Sequence, residues 1–173
     1  MFFLGSAYPT GKLAVNETVP PILFGALRMG IVFVCLIPFC KFYIPEKKYI
    51  LPLIGFSLCF GVAVNLFLYF SIHVSNILAP ITIGAQLSIP FGIILSSIFL
   101  KESISYKKWI LIITSFLGII LLAFNPKVGE ELLGAILICI MAFFYGLSQV
   151  ISRYLKELDI KFTNCCMSLS GFI

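Results

Sequence analysis

Long apolar runs separated by short polar connections occupy nearly the whole chain. They fall at roughly 20–40, 51–72, 77–100, 108–124 and 132–152, with a shorter run at 1–15 and another that begins near 162 and continues to Ile173. Each full run matches the ~20 residues that a helix needs to cross the hydrocarbon core with its backbone hydrogen bonds satisfied internally. The pattern predicts an all-α integral membrane protein with six to seven transmembrane helices. The connections have turn and cap chemistry, as in Asn16-Glu17-Thr18 before Pro20-Pro21 and Asn125-Pro126 followed by Gly129. They leave no room for a soluble domain.

Composition agrees. Of the 173 residues 61% are hydrophobic and 11% charged, with a mean hydropathy of +1.12, less than half the charge that coats a soluble domain. A disordered chain, a coiled coil and a disulfide-stapled secreted domain are excluded. The net charge of +5 does not point to nucleic acid, because the basic residues are scattered between apolar runs. Their positions report sidedness instead. Nine of the twelve lie in alternate connections: Lys41, Lys47 and Lys48; Lys101, Lys107 and Lys108; Arg153, Lys156 and Lys161. The positive-inside rule makes the 41–50, 101–108 and 153–161 loops cytoplasmic. The six cysteines show no CxxC and no histidine at ligand spacing, so they read as packing residues, with no metal and no cofactor expected. The N-terminus lacks the basic region of a cleaved signal and reads as the latter part of a membrane helix.

The sequence also matches itself at an offset of 141 residues, which places Leu4-Gly5 on Tyr145-Gly146, Lys12 on Arg153 and Gly30 on Gly171. A five-span unit followed by a copy puts that copy upside down, the pattern of an inverted repeat. The expected organisation is a five-helix repeat over 1–124 with a shortened first helix, then the start of a second, incomplete repeat over 132–173.

Several motifs resemble the EamA-type drug/metabolite transporters. Leu4-Gly5-Ser6-Ala7-Tyr8 followed by Lys12 is similar to that family's opening motif, with Leu4 where the family usually has Trp. Pro20-Pro21 with Leu27-Arg28 resembles its "PP…LR" signature. Ala79 through Pro90 to Leu100-Lys101-Glu102, then Trp109 and Gly118, resembles its fourth and fifth helices and the Glu turn between them. The resemblance implies ten helices in about 300 residues, so this chain is expected to be a shortened member that ends early in the seventh. It also implies transport or export of small metabolites, amino-acid-like or drug-like, across the inner membrane.

Candidate site residues follow from the cost of burying polar groups in lipid. Arg28 lies eight residues into the second span, with no acid inside any span to pair with. It reads equally as a cation facing a cavity, attracting a carboxylate, or as a donor to backbone carbonyls that hold the bundle together. Ser57, Gly61, Asn65, Tyr69 and His73 recur every four residues in the third span, a stripe turned away from lipid. Asn65 and Tyr69 lie deepest and are candidate solute contacts, while His73 and Lys12 read as groups at the membrane boundary. Gly84, Ser88, Gly92 and Ser96 form a small-residue seam for a neighbouring helix. Gln86 and Pro90 place a polar group and a helix break near mid-membrane, with a carbonyl near Gln86 left free by the proline. Glu102 is expected to pair with Lys107 or Lys108, or to favour the N-terminus of the fifth helix through its dipole.

Arg28, Asn65, Tyr69 and Gln86 are therefore the expected substrate contacts of a secondary transporter working by alternating access. Intramembrane hydrolysis has no support, since no GxSxG, no intramembrane acid and a single histidine leave no triad to assemble. A non-transporting fragment, or a half-transporter that needs a second copy or a complementary half, is the alternative. The expected partners are the bilayer and a small solute.

Overall fold

A computed structural model describes residues 11–12, 20–40, 45–75, 78–123 and 132–172. Helix α1 (Pro21–Leu36) starts on a proline, which suits a first turn whose N–H has no partner within the helix. It tightens into a 3₁₀ turn over Ile37–Phe39. Helix α2 runs continuously from Lys47 to Val74, with Ser57–Val64 wound as a π-helix. Then come α3 (Leu78–Ala85), α4 (Ser88–Leu100), α5 (Tyr106–Ala123), α6 (Leu132–Tyr154) and α7 (Ile160–Phe172). These occupy the expected apolar runs. Of the run at 1–15 only Gly11 and Lys12, both helical, lie inside the described residues.

Among the described residues four helices are long and apolar enough to cross a membrane: Pro21–Phe39, Lys47–Val74, Pro80–Leu100 and Leu132–Tyr154. Their outward faces carry exposed apolar side chains such as Ile31, Val34, Leu51 and Ile98, the surface that a bilayer would cover. The chain is an all-α, multi-pass membrane protein.

α6 is the central element, with α2, α3 and α4 packed around it, while α7 packs on both α1 and the π-helical stretch of α2. One apolar core gathers Val64, Tyr69, Ile72, Ile81, Ile138 and Met141. A second gathers Met29, Leu53, Phe56, Leu155, Phe162 and Met167 toward one end of the bundle.

The α3–α4 junction is a tight turn. Gln86 N donates to Ile83 O at 3.0 Å, Leu87 N to Gly84 O at 3.0 Å and Ile89 N to Gln86 O at 3.1 Å. The carbonyl expected to be free near Gln86 is therefore occupied, because the turn tightens to three-residue spacing and brings the Ile89 N–H onto it.

At the end of α4, Lys101 adopts a left-handed conformation, φ 52° and ψ 31°. Beyond this turn Glu102 meets α6: Arg153 Nη1 lies 2.6 Å from Glu102 Oε1. The expected partners Lys107 and Lys108 are corrected to Arg153, a residue 51 positions away that only the packing of α4 on α6 brings near. Tyr154 OH donates to Phe99 O at 3.2 Å, and Tyr49 OH donates to Glu157. The start of α2 and the ends of α4 and α6 thus meet at one end of the bundle.

Candidate functional site at the crossing of α1 and α2

Phe24 and Arg28 are four residues apart in α1, so they share a helix face. Gly25, on the neighbouring strip, lets α2 come close: a Cβ built there would stand 3.2 Å from the Tyr69 ring and 4.0 Å from Asn65 Cβ. Into this gap Tyr69 projects from the second half of α2, only 4% exposed. Phe24 meets its ring edge-on, with centroids 5.1 Å apart at 84°. Arg28 Nη1 donates to Tyr69 OH at 2.9 Å.

This pair has defined chemistry. The bond uses one of the five guanidinium donors. A phenol oxygen that accepts from a cation becomes a stronger donor through its own hydrogen. Arg28 is exposed while Tyr69 is buried, so the pair presents a charge and a polarised hydroxyl at the edge of the packed core. Both are donors, the complement of a carboxylate or another oxyanion.

Asn65 lies one turn earlier in α2 and is buried. Its Nδ2 donates to Phe60 O and Gly61 O, each at 3.0 Å. The amide hydrogens therefore serve two carbonyls of the π-helical stretch, and the amide oxygen is the atom it can offer to a solute. Gly11 approaches the same Tyr69 ring, its Cβ position 3.7 Å from Cε1. Lys12, next to it, is half-buried, and His73 is exposed at the far end of the stripe.

Gln86 is placed elsewhere, exposed on the α3–α4 turn. Gly84, Ser88, Pro90 and Gly92 are buried, and the Cβ positions of Gly84 and Gly92 face α6. A Cβ on Gly84 would come within 2.6 Å of Ile138 Cγ2, and one on Gly146 within 2.8 Å of Gly92 N. The structure thus joins Arg28, Tyr69 and Asn65 through the α1–α2 crossing, with Gln86 on a different part of the bundle. Sequence reasoning missed Phe24 and Gly25, although their spacing around Arg28 was a usable signal. No cluster of potential metal ligands occurs among the described residues.

No curated protein and no solved structure matches the chain. The EamA-like transporter family matches residues 1–124, which include α1 through α5 and the Arg28–Tyr69 pair. With most of its length covered by that match, this multi-pass membrane protein belongs to the EamA-like transporter family, a family of membrane transporters within the drug/metabolite superfamily.

Proposed function

We propose that the chain is a secondary transporter that exports small metabolites bearing a carboxylate, amino-acid-like or drug-like, across the inner membrane by alternating access. The observation that carries this reading is the 2.9 Å bond from Arg28 to Tyr69. It holds the intramembrane guanidinium beside a second donor instead of an acid. An Arg neutralised by Asp or Glu would have little attraction left for an anionic solute, whereas a hydroxyl partner orients the charge and leaves it intact. Asn65 Oδ1, one turn away, faces the opposite requirement and suits a solute ammonium.

The inverted repeat over 1–124 and 132–173 is part of the same proposal. Gly30 and Gly171 are equivalent at the 141-residue offset, and both lie where α1 crosses α7. A Cβ on Gly30 would stand 2.7 Å from the Phe172 ring, and one on Gly171 would stand 2.9 Å from Met29 Cγ. Contact between equivalent positions of equivalent helices is what a pseudo-two-fold axis produces, and it supports the reading. The basic end of the bundle then faces the cytoplasm.

Counterflow in proteoliposomes, run over a panel of amino acids, carboxylates and neutral analogues, tests the solute class. Arg28→Ala is expected to lower uptake of carboxylate solutes at least about tenfold, since loss of a hydrogen bond to a charged group costs ~1.5–3 kcal/mol. Tyr69→Phe is expected to lower it less. Unimpaired transport of every solute by Arg28→Ala overturns the assignment.

A further inference from the structure

At the end of the bundle opposite the α2–α3 connection, the first turns of α2 and the last turns of α6 enclose an open cavity of about 450 Å³. Lys48, Tyr49 and Pro52 line it from α2, and Arg153, Tyr154, Lys156 and Glu157 from α6 and the residues that follow. From this cavity we infer a binding site for the phosphate headgroup of an anionic membrane phospholipid.

Three observations support it. The lining holds three cations against one acid, and that acid, Glu157, already accepts a hydrogen bond from Tyr49. The surrounding field is of the same sign: among the described residues at this end, Lys47, Lys48, Lys101, Lys107, Lys108, Arg153, Lys156 and Lys161 outnumber Glu46, Glu102, Glu157 and Asp159 by eight to four. The depth is right as well. α2 enters the apolar span at Lys47 and α6 leaves it at Tyr154, so the cavity sits where lipid phosphates lie, flanked by two tyrosines of the kind that settle at that boundary. Basic pockets between transmembrane helices are suited to anionic headgroups.

The cations are held but not used up. Lys48 Nζ is 3.1 Å from Glu46 Oε2 and 4.5 Å from the centroid of the Tyr49 ring, and Arg153 pairs with Glu102. The Lys48 and Arg153 side chains remain 61% and 45% exposed, and solvent-exposed pairs of this kind exchange partners at little cost. A phosphate diester with acyl chains on the apolar faces of α2 and α6 would gain both the charge and the apolar contact, whereas a soluble phosphate would gain only the charge.

The test uses the full chain in bilayers that mix phosphatidylcholine with brominated lipid. Tyr154→Trp in a Trp109→Phe background reports on the cavity, and the native Trp109 reports on the surface beside Lys107 and Lys108. Brominated phosphatidylglycerol is expected to quench the residue-154 reporter with a relative binding constant on the order of fivefold above brominated phosphatidylcholine. Trp109 should show a much smaller preference. Lys48→Gln with Lys156→Gln should bring the cavity preference close to one, and Lys107→Gln with Lys108→Gln should leave it in place. Equal preference at both reporters would mean diffuse surface charge and overturn the site, as would a preference that survives the Lys48/Lys156 change. Loss of the preference on adding millimolar glycerol 3-phosphate would reassign the cavity to a soluble phosphate. Folding of each variant is checked by far-ultraviolet circular dichroism.

Discussion

Lys101 is the single non-glycine with positive φ among the described residues, at 52°. For an L-residue the left-handed region costs ~1–2 kcal/mol, which glycine avoids. The side chain itself is exposed at the basic end, so its replacement removes little packing. Lys101→Gly is therefore expected to raise stability by about 1 kcal/mol, and Lys101→Ala, which keeps the Cβ, should give no gain. Thermal unfolding of both variants in detergent separates the backbone effect from loss of charge; equal shifts would assign the effect to charge. Other single residues show where reading the sequence stops. Arg28 and Tyr69 stand out singly, one as a charge in an apolar run and the other as part of a polar stripe. That a guanidinium meets a phenol hydroxyl 41 residues away, or that Glu102 crosses to Arg153, depends on how helices pack, which no local pattern encodes.

Among elements, hydropathy places the helices well, because a lipid-spanning segment must be apolar all round and its ends are marked by charge. The interruption in the 77–100 run is also readable, from Pro90. The π-helical stretch is not, since its i→i+5 bonding follows from packing and not from propensity. It nonetheless explains why the polar stripe works. In an α-helix every fourth residue drifts forward around the axis, and the looser π winding drifts the other way. Ser57, Gly61, Asn65 and Tyr69 thus all remain buried although the helix is long. At the centre of this stretch Gly61 allows α7 to approach: a Cβ there would lie 2.5 Å from Met167 O and 2.5 Å from Ser170 Oγ. Ser170 Oγ in turn donates to Ser57 O at 2.9 Å. Gly61→Ala must push the two backbones apart and is expected to cost about 1–3 kcal/mol. Gly118, on α5, has nothing within 4 Å of its Cβ position. There the same change should stabilise the helix by roughly 0.5–1 kcal/mol through lower chain entropy. Opposite shifts in unfolding temperature for the two alanine variants are the expected result, and a tolerated Gly61→Ala would argue against the close crossing.

For the whole molecule, the distribution of charge joins what the fold brings together to what the membrane sorts. The basic connections are far apart in the chain, yet Arg153 with Glu102, Tyr49 with Glu157 and Tyr154 with Phe99 gather them at one end. The remaining cations, Lys12, Arg28 and Lys127, are matched in number by Glu17, Glu130 and Glu131. The basic connections therefore carry the whole of the chain's net positive charge, and the remaining charged residues sum to zero. Translocating the basic end would carry that excess against the membrane potential, at ~2.3 kcal/mol per charge per 100 mV, so insertion should hold it in the cytoplasm. Alkaline phosphatase, which needs an oxidising compartment for its disulfides, reads this out. Fusions after Pro45, Glu102 and Glu157 are expected to be inactive, and fusions after Asn76 and Val128 active. Replacing Lys107, Lys108, Lys156 and Lys161 by Gln weakens the asymmetry and should produce a mixed pattern at Glu102 and Glu157, because the retention depends on the charges and not on the helices that join them. Unchanged activities in that variant would show that helix packing sets the orientation instead.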